Sequence, residues 1–364
     1  MKAASNQPIF IMEESMNLST YIPLTEYTRG PMVESLQIGA AAIVDNQNNL
    51  VASLGDPKTV AFLRSSSKPF QALPLIESGG REAFGLTDQE IAMMCASHHG
   101  TDKHVRVLQA LHLRIGIHPE DLLCGVHDPE DKPSAKALLL RGEEPTPLHH
   151  NCSGKHTGML AYTRLHNLPK ADYINPEHPL QKIILRTVAE MMDMPVEDVL
   201  LGTDGCSAPV FAVPLANAAL AFARLCDPVG LPEARAAALR HIARAMPAHA
   251  DMVAGPGTFD TVLMSAFAGQ IVCKAGAEGY QAVGLLPGLL APASPALGIT
   301  LKMADGDLTG RGRPLVILEI LRQLGVPFTP AQKEILAGFD ARPVQNWRKL
   351  EVGQMRTCFQ VKKE

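Results

Sequence analysis

Apolar and polar residues alternate with a period of two over several short stretches of this chain, a pattern typical of β-strands. Residues 33–44 and 50–54 flank the polar turn Asn46-Gln47-Asn48-Asn49, which predicts a β-hairpin near the start of the chain. Further strands are predicted at 60–63, 199–203, 270–275, 279–285, 297–303 and 350–359.

A second pattern, with an apolar period of three to four residues, predicts helices between these strands. One helix is preceded by a capping box formed by Thr87 and Glu90. Residues 124–150, rich in Pro, Asp, Glu and His, are predicted to form a long surface loop. Because strands cluster at both ends of the chain, we expect an α/β or α+β fold whose main sheet joins the N- and C-terminal strands. The predicted helices are 70–78, 87–95, 103–115, 151–165, 177–193, 215–226, 232–246, 258–267, 312–324 and 330–338.

The amino-acid composition limits the classes of protein to which this chain can belong. The 364 residues are 46% hydrophobic and 19% charged, and a net charge of −4 without a basic block argues against a nucleic-acid partner. The seven cysteines do not have the spacing of a disulfide framework. Glu13 and Glu14 interrupt the run that a signal peptide needs, and prolines make the apolar stretch 208–223 a poor membrane span. We therefore expect a cytoplasmic protein with a loose leader at 1–18 and a single domain, or two subdomains, at 19–364.

The spacing Ser65-x-x-Lys68 carries the clearest chemical signal. Positions i and i+3 of a helix share a face, so the serine hydroxyl lies beside the lysine amine, which can take its proton. The preceding strand and following helix place the serine N–H at a helix N-terminus, where it can stabilise an oxyanion. The alternative is an N-cap serine followed by an exposed lysine.

Two cysteine-containing turns and one glycine turn are further candidates. Cys152-x-x-Lys155 and Asp204-Gly205-Cys206 carry thiols that suit zinc, although they are also compatible with two small buried apolar residues. The turn Ala254-Gly255-Pro256-Gly257 leads into a helix, and its backbone N–H groups can hold a carboxylate or an oxyanion. The alternative for this turn is a tight loop with Thr258 as the helix N-cap.

The set of motifs resembles the bacterial L-asparaginase II family, also called the Rhizobium-type or class 3 asparaginases. The resemblance implies a fold similar to serine β-lactamases and serine glutaminases, with helices packed on an antiparallel sheet of N- and C-terminal strands. It also implies a homodimer that hydrolyses L-asparagine to aspartate and ammonia. The segments that carry the resemblance are 64–71, 96–98, 151–156, 204–209, 254–257, 274–279 and 346–348.

The resemblance also implies roles for individual residues. Ser65 is similar to the family's nucleophile and Lys68 to its base, and Ser97 with Lys274 is similar to a second Ser–Lys couple. The implied zinc site would hold one ion per chain, which fixes substrate or stiffens the site rather than activating water. The implied zinc ligands are Cys152, Lys155 and Cys206, and the candidate substrate-binding residues are Arg64, His156, Asp204, Gly255 and Gly257.

Some features leave alternatives open. His99 departs from the family pattern, in which a small residue is expected, and Ala275 lacks the hydroxyl found beside the strand lysine of penicillin-recognising enzymes. The alternatives are a serine glutaminase or broader amidase on the same scaffold, a zinc hydrolase in which Ser65 only caps a helix, and an amino-acid-binding relative without catalysis.

Overall fold

The computed structural model of the chain describes residues 17–364. Of the loose leader predicted at 1–18, all but the last two positions lie outside the described residues. The remainder contains α-helices and β-strands in the mixed arrangement that the sequence predicts.

A nine-stranded antiparallel sheet forms the centre of the described part of the chain. Its main path runs β10-β11-β1-β2-β9-β8-β7, with β3 on β2 and β12 on β3, so N-terminal strands lie beside C-terminal ones as predicted. A second, three-stranded sheet has the order β4-β6-β5. The strands are β1 Ile22–Arg29, β2 Met32–Asp45, β3 Leu50–Leu54, β4 Val60–Phe62, β5 Leu200–Thr203, β6 Pro209–Pro214, β7 Ile271–Gly276, β8 Tyr280–Leu285, β9 Leu297–Met303, β10 Arg342–Gln345, β11 Glu351–Thr357 and β12 Lys362–Lys363.

The helices also follow the predicted pattern in most places. The capping box at Thr87 is present, since the Thr87 N–H donates to Glu90 Oε2 at 2.9 Å. The helices are α1 Lys68–Glu77, α2 Gly80–Phe84, α3 Asp88–Met94, α4 Asp102–Ile115, α5 Lys132–Leu140, α6 Ser153–Leu165, α7 Pro179–Met191, α8 Leu215–Cys226, α9 Glu233–Ala248, α10 Ala250–Val253, α11 Phe259–Ala266, α12 Gly312–Leu324 and α13 Pro330–Leu336.

Several short elements were not predicted, namely α2, α10, β6, β10 and β12, and two further differences have a clear physical reason. The loop predicted at 124–150 contains helix α5, whose N-terminus is capped by Asp131 and whose Leu139 and Leu140 are exposed. These exposed leucines obscure the helical period. Strand β1 was not predicted because its inward side chains include Thr25 and Tyr27, whose hydroxyls donate to Gln37 Oε1 at 3.0 Å.

Helix α8 packs closely on the sheet against β2, β8 and β9. The approach depends on Gly298 of β9, since a Cβ there would lie 1.7 Å from the carbonyl oxygen of Ala219. The backbone of α8 therefore lies directly against the backbone of β9, and any side chain at position 298 would push the two apart. The main hydrophobic core is a single cluster of buried side chains, drawn from positions between Leu24 and Phe359.

Within residues 17–364, no helix combines the length and apolar character needed to cross a bilayer.

Candidate active site

The Ser–Lys motif lies at the junction of the small sheet and helix α1. After β4 the chain forms a 3₁₀ turn at Arg64–Ser67, which continues directly into α1. Arg64 begins this turn in the left-handed region at φ +49°, which costs about 1–2 kcal/mol for a residue with a side chain. Its guanidinium Nε donates to Asp204 Oδ1 at 2.8 Å, and this ion pair holds the strained residue in place.

Ser65 is half-buried and lines a cavity, while Lys68 is buried behind it. Side chains at i and i+3 of a 3₁₀ turn eclipse each other, so the two residues share one side of the chain as predicted. Within residues 17–364 no hydrogen bond joins the Ser65 hydroxyl to the Lys68 amine; the amine donates to Ser97 Oγ at 2.8 Å and to the Ala96 carbonyl at 2.6 Å. Catalytic hydrogen bonds are often long before substrate binds.

The Ser97 hydroxyl lies between two buried amines. Lys274, on β7, approaches Ser97 Oγ at 3.0 Å from one side, and Lys68 approaches it at 2.8 Å from the other. A hydroxyl has one proton and two lone pairs, so it can accept from one amine and donate to the other. The structure therefore places the two predicted lysines on one serine hydroxyl, that of Ser97.

Burial lowers the pKa of Lys274 to about 8. The carboxylate of Asp260 opposes this shift, whereas the charge of Lys68 adds to it. An amine with this pKa is partly uncharged near neutral pH, so it can accept a proton there. Of the two amines, Lys274 is therefore the one whose lowered pKa allows it to act as a base.

A second group of predicted residues lies beside the two lysines. The Lys155 amine is 2.9 Å from Cys206 Sγ, and a hydrogen bond between the thiols of Cys206 and Cys152 holds the pKa of Cys152 well below its usual value. Lys68 adds to that shift. Burial alone would lower the pKa of Lys155, but the negative sulfurs raise it overall. The sulfurs of Cys152 and Cys206 and the Lys155 amine thus favour each other's charged forms.

His156 adds a nitrogen to this group. Its Nδ1 is 2.6 Å from the Tyr173 hydroxyl, and its buried Nε2 has no hydrogen-bond partner among the described residues. Burial lowers the pKa of the ring to about 4, although Cys206 lies close enough to oppose the shift. Two sulfurs, a buried amine and an orphaned imidazole nitrogen are donors that suit zinc.

The acidic residues nearest to this group do not complete a conventional metal site. Across the described chain, no group of three or more His, Cys, Asp and Glu side chains is placed to hold a metal ion. Asp204 is engaged with Arg64, and although burial raises the pKa of its carboxyl, Lys155 and Arg64 lower it overall. A zinc site at Cys152 and Cys206 therefore depends on the Lys155 amine, which has to give up its proton to become a ligand.

The cavity in front of Ser65, Ser97 and Lys274 has a volume of about 360 Å³. Of the predicted glycine turn, Ala254 and Thr258 line it. Gly255 instead faces His99, because a Cβ at position 255 would lie 2.6 Å from the His99 ring. Gly257 adopts φ +71° in the turn, and Thr258 caps α11 as the alternative interpretation predicts.

Several residues of the cavity wall were not predicted as site residues. Asp260 accepts the N–H of Ala275 at 2.6 Å and the amide of Gln281 at 2.9 Å, which fixes β7 beside Lys274 and ties it to the neighbouring strand β8. Its place in the first turn of α11 was visible in the sequence, but its contact with β7 is long-range. Glu130, Asn151, Arg313 and Phe339 also line the cavity.

Comparison with known proteins gives one family and several solved structures. A family model described as L-asparaginase II matches residues 25–357. A probable glutaminase from Bacillus subtilis, solved with 6-diazo-5-oxo-L-norleucine, is 10% identical with a TM-score of 0.37 and covers 80% of this chain and 85% of its own. A β-lactamase from Burkholderia ambifaria is 13% identical with a TM-score of 0.35, over 79% and 95% of the two chains.

No curated protein matches the chain. What the geometry adds is a pocket in which one hydroxyl contacts two buried amines.

Proposed function

This chain belongs to the L-asparaginase II family, and we propose that it hydrolyses L-asparagine to L-aspartate and ammonia through a serine acyl-enzyme. The predicted family resemblance is confirmed, and the enzyme is an amidohydrolase. The observation that carries the proposed mechanism is the Ser97 hydroxyl held between the Lys68 and Lys274 amines, beside a cavity that Ser65 lines.

Ser65 is proposed as the nucleophile. It lies in the helical turn that leads into α1, where the positive end of the helix dipole favours a developing oxyanion. The hydroxyl oxygen attacks the side-chain carbonyl carbon and gives its proton to Lys68, while Lys68 passes a proton through the Ser97 hydroxyl to the uncharged amine of Lys274. The tetrahedral oxyanion then collapses, the C–N bond breaks, and the leaving nitrogen takes a proton to become ammonia.

Ser97 and Lys274 are proposed to move that proton. With Lys68 on one side of the Ser97 hydroxyl and Lys274 on the other, a proton passes along two hydrogen bonds of 2.8 and 3.0 Å. Water then attacks the acyl-enzyme ester, giving aspartate and restoring the Ser65 hydroxyl. Asp260 positions Lys274 in this scheme because it binds the backbone N–H of the next residue.

Cys152, Lys155 and Cys206 are proposed to hold zinc, and the ring of His156, whose Nε2 has no partner among the described residues, lies close to Cys206. Bound there, zinc would supply a fixed positive charge that orients substrate or stiffens the site. The Lys68 amine is 3.4 Å from the carbonyl of Asn151, the residue before Cys152, so the sulfur group lies against the proposed base.

The substrate assignment is tested by measuring ammonia release from L-asparagine and from L-glutamine, each with and without a chelator. We expect asparagine to be the better substrate and activity to persist in part after chelation, because a serine and not the metal attacks. Preference for glutamine would support the glutaminase alternative. Complete and metal-reversible loss of turnover on chelation would support the zinc hydrolase alternative.

The pKa of Lys274 predicts a pH dependence. Burial, the largest cause, and the charge of Lys68 lower this pKa to about 8, while Asp260 and the sulfurs of Cys152 and Cys273 oppose the shift. If the uncharged amine is the active form, kcat/KM should rise with pH through about 8 and then level off. A profile of kcat/KM from pH 5 to 10 measures this limb.

The control for the pH profile is the variant K274M, which keeps the length of the side chain without its amine. Its residual activity should lack the limb near pH 8. A limb that stays at the same pH in K274M would show that another group titrates there.

The homodimer, the cytoplasmic location and the single domain at 19–364 stay predictions, as does the absence of a nucleic-acid partner. Analytical ultracentrifugation that gives the mass of one chain would contradict the first of these.

A further inference from the structure

One carboxylate in the wall of the active-site cavity has no part in the scheme above. Glu130 lines the cavity with Ser65, Ser97 and Lys274, and 43% of its side chain is exposed. Its Oε1 accepts the side-chain amide of Asn151 at 2.7 Å. The carboxylate is thus held in position at the open side of the pocket.

The other charged groups of the wall differ from Glu130. The carboxylate of Asp260 is buried and its oxygens accept from Ala275 and Gln281. The remaining charges are positive, on Lys274 and on Arg313, whose guanidinium is bound to Asp307 and to backbone carbonyls. Of the two carboxylates in the lining, Glu130 is therefore the one that offers exposed oxygen to a ligand.

A free amino-acid amide brings two opposite charges into this cavity. Its α-carboxylate is attracted by the guanidinium of Arg313, but its α-ammonium is repelled by that charge unless an anion lies nearby. Resting on the function proposed above, we propose that Glu130 determines specificity by binding the α-ammonium group of the substrate. A charge-assisted hydrogen bond of this kind favours the binding of α-amino acid amides over that of amides without the amino group.

His99 fixes the position of this carboxylate. This contact explains why position 99 holds a histidine where the family pattern has a small side chain. Its Nε2 is 3.4 Å from Glu130 Oε2, and its backbone N–H donates to the Ala254 carbonyl at 3.0 Å. Its own carbonyl accepts the N–H of Asp131 at 3.0 Å. The ring occupies the space that a side chain at Gly255 would fill. Through these contacts, His99 joins the Ser97 turn to Glu130.

The test compares two substrates in the variant E130Q, which keeps the size of the side chain and removes its charge. One substrate is L-asparagine, and the other is succinamic acid, the same molecule without the α-amino group. We expect kcat/KM for L-asparagine to fall about 10- to 100-fold, mostly through KM, because one charge-assisted bond is lost. For succinamic acid we expect a change of less than about twofold.

The control is E144Q, which removes a charge from an exposed surface glutamate, and both substrates should react at wild-type rates. E130D keeps the charge and should retain part of the preference for L-asparagine. Equal losses on both substrates would show that Glu130 only supports the structure, and equal rates for E130Q and wild type on L-asparagine would also overturn the proposal. A wild-type enzyme that releases no ammonia from L-asparagine would instead contradict the proposed function.

Discussion

S65A is expected to lower kcat for L-asparagine by about 10⁴- to 10⁶-fold, the scale of losing a serine nucleophile. The Ser65 hydroxyl lines the cavity and makes no hydrogen bond to another side chain of the described residues, so the fold does not depend on it. We therefore expect the free energy of unfolding to change by less than about 0.5 kcal/mol. Steady-state ammonia release and a urea titration measure the two effects.

The matched control is S67A, two residues along the same turn. Ser67 is buried, and its hydroxyl donates to the Arg64 carbonyl at 2.9 Å rather than facing the cavity. This variant should cost about 1 kcal/mol of stability and less than tenfold in kcat. If S65A kept most of its activity, Ser65 would not be the nucleophile and the hydroxyl of Ser97 would be the next candidate.

The second large effect is expected at the sulfur group. C206S removes the sulfur that lies 2.9 Å from the Lys155 amine, so the variant should lose the zinc that the wild type is proposed to bind. KM for L-asparagine should rise about 10- to 100-fold while kcat changes less, because the metal orients substrate rather than reacting. Elemental analysis of the purified proteins gives the zinc content, and steady-state kinetics give KM and kcat.

Cys358 supplies the control for this experiment, since it is exposed and lies outside the site. C358S should keep both the zinc content and the kinetics of the wild type. Two results would contradict the proposal: a C206S protein that binds as much zinc as the wild type, or a zinc-free protein whose kcat alone collapses. The second result would make the metal part of the chemical step.

The sequence predicted most of the main sheet and the helices because each has a local signal. Strands β7, β8 and β9 alternate or are uniformly apolar, and α8 has the predicted bounds. β1 was missed because its inward positions include hydroxyls whose partner, Gln37, lies on the next strand. A polar residue that is buried with a partner looks like an exposed one in sequence.

The site was predicted as two Ser–Lys couples, and in the structure both lysine amines contact the hydroxyl of Ser97. Spacing alone paired Ser65 with Lys68, but the Lys68 amine contacts Ser97. That contact, like the contact between Asp260 and β7, joins residues far apart in the chain, so no local pattern reveals it. Glu130 was missed because it lies within a segment whose composition predicts only a surface loop.

The order of strands in the main sheet has a consequence for how the protein is made. β1 pairs with β11 and β2 pairs with β9, so the β1–β2 hairpin finds these partners only after about 250 further residues have been synthesised. Until then both of its hydrogen-bonding edges are open, and an open edge of this kind invites pairing with another nascent chain. Chains released early, before β9 and β11, would keep that hairpin without its neighbours, and we expect them to aggregate rather than to accumulate as folded fragments.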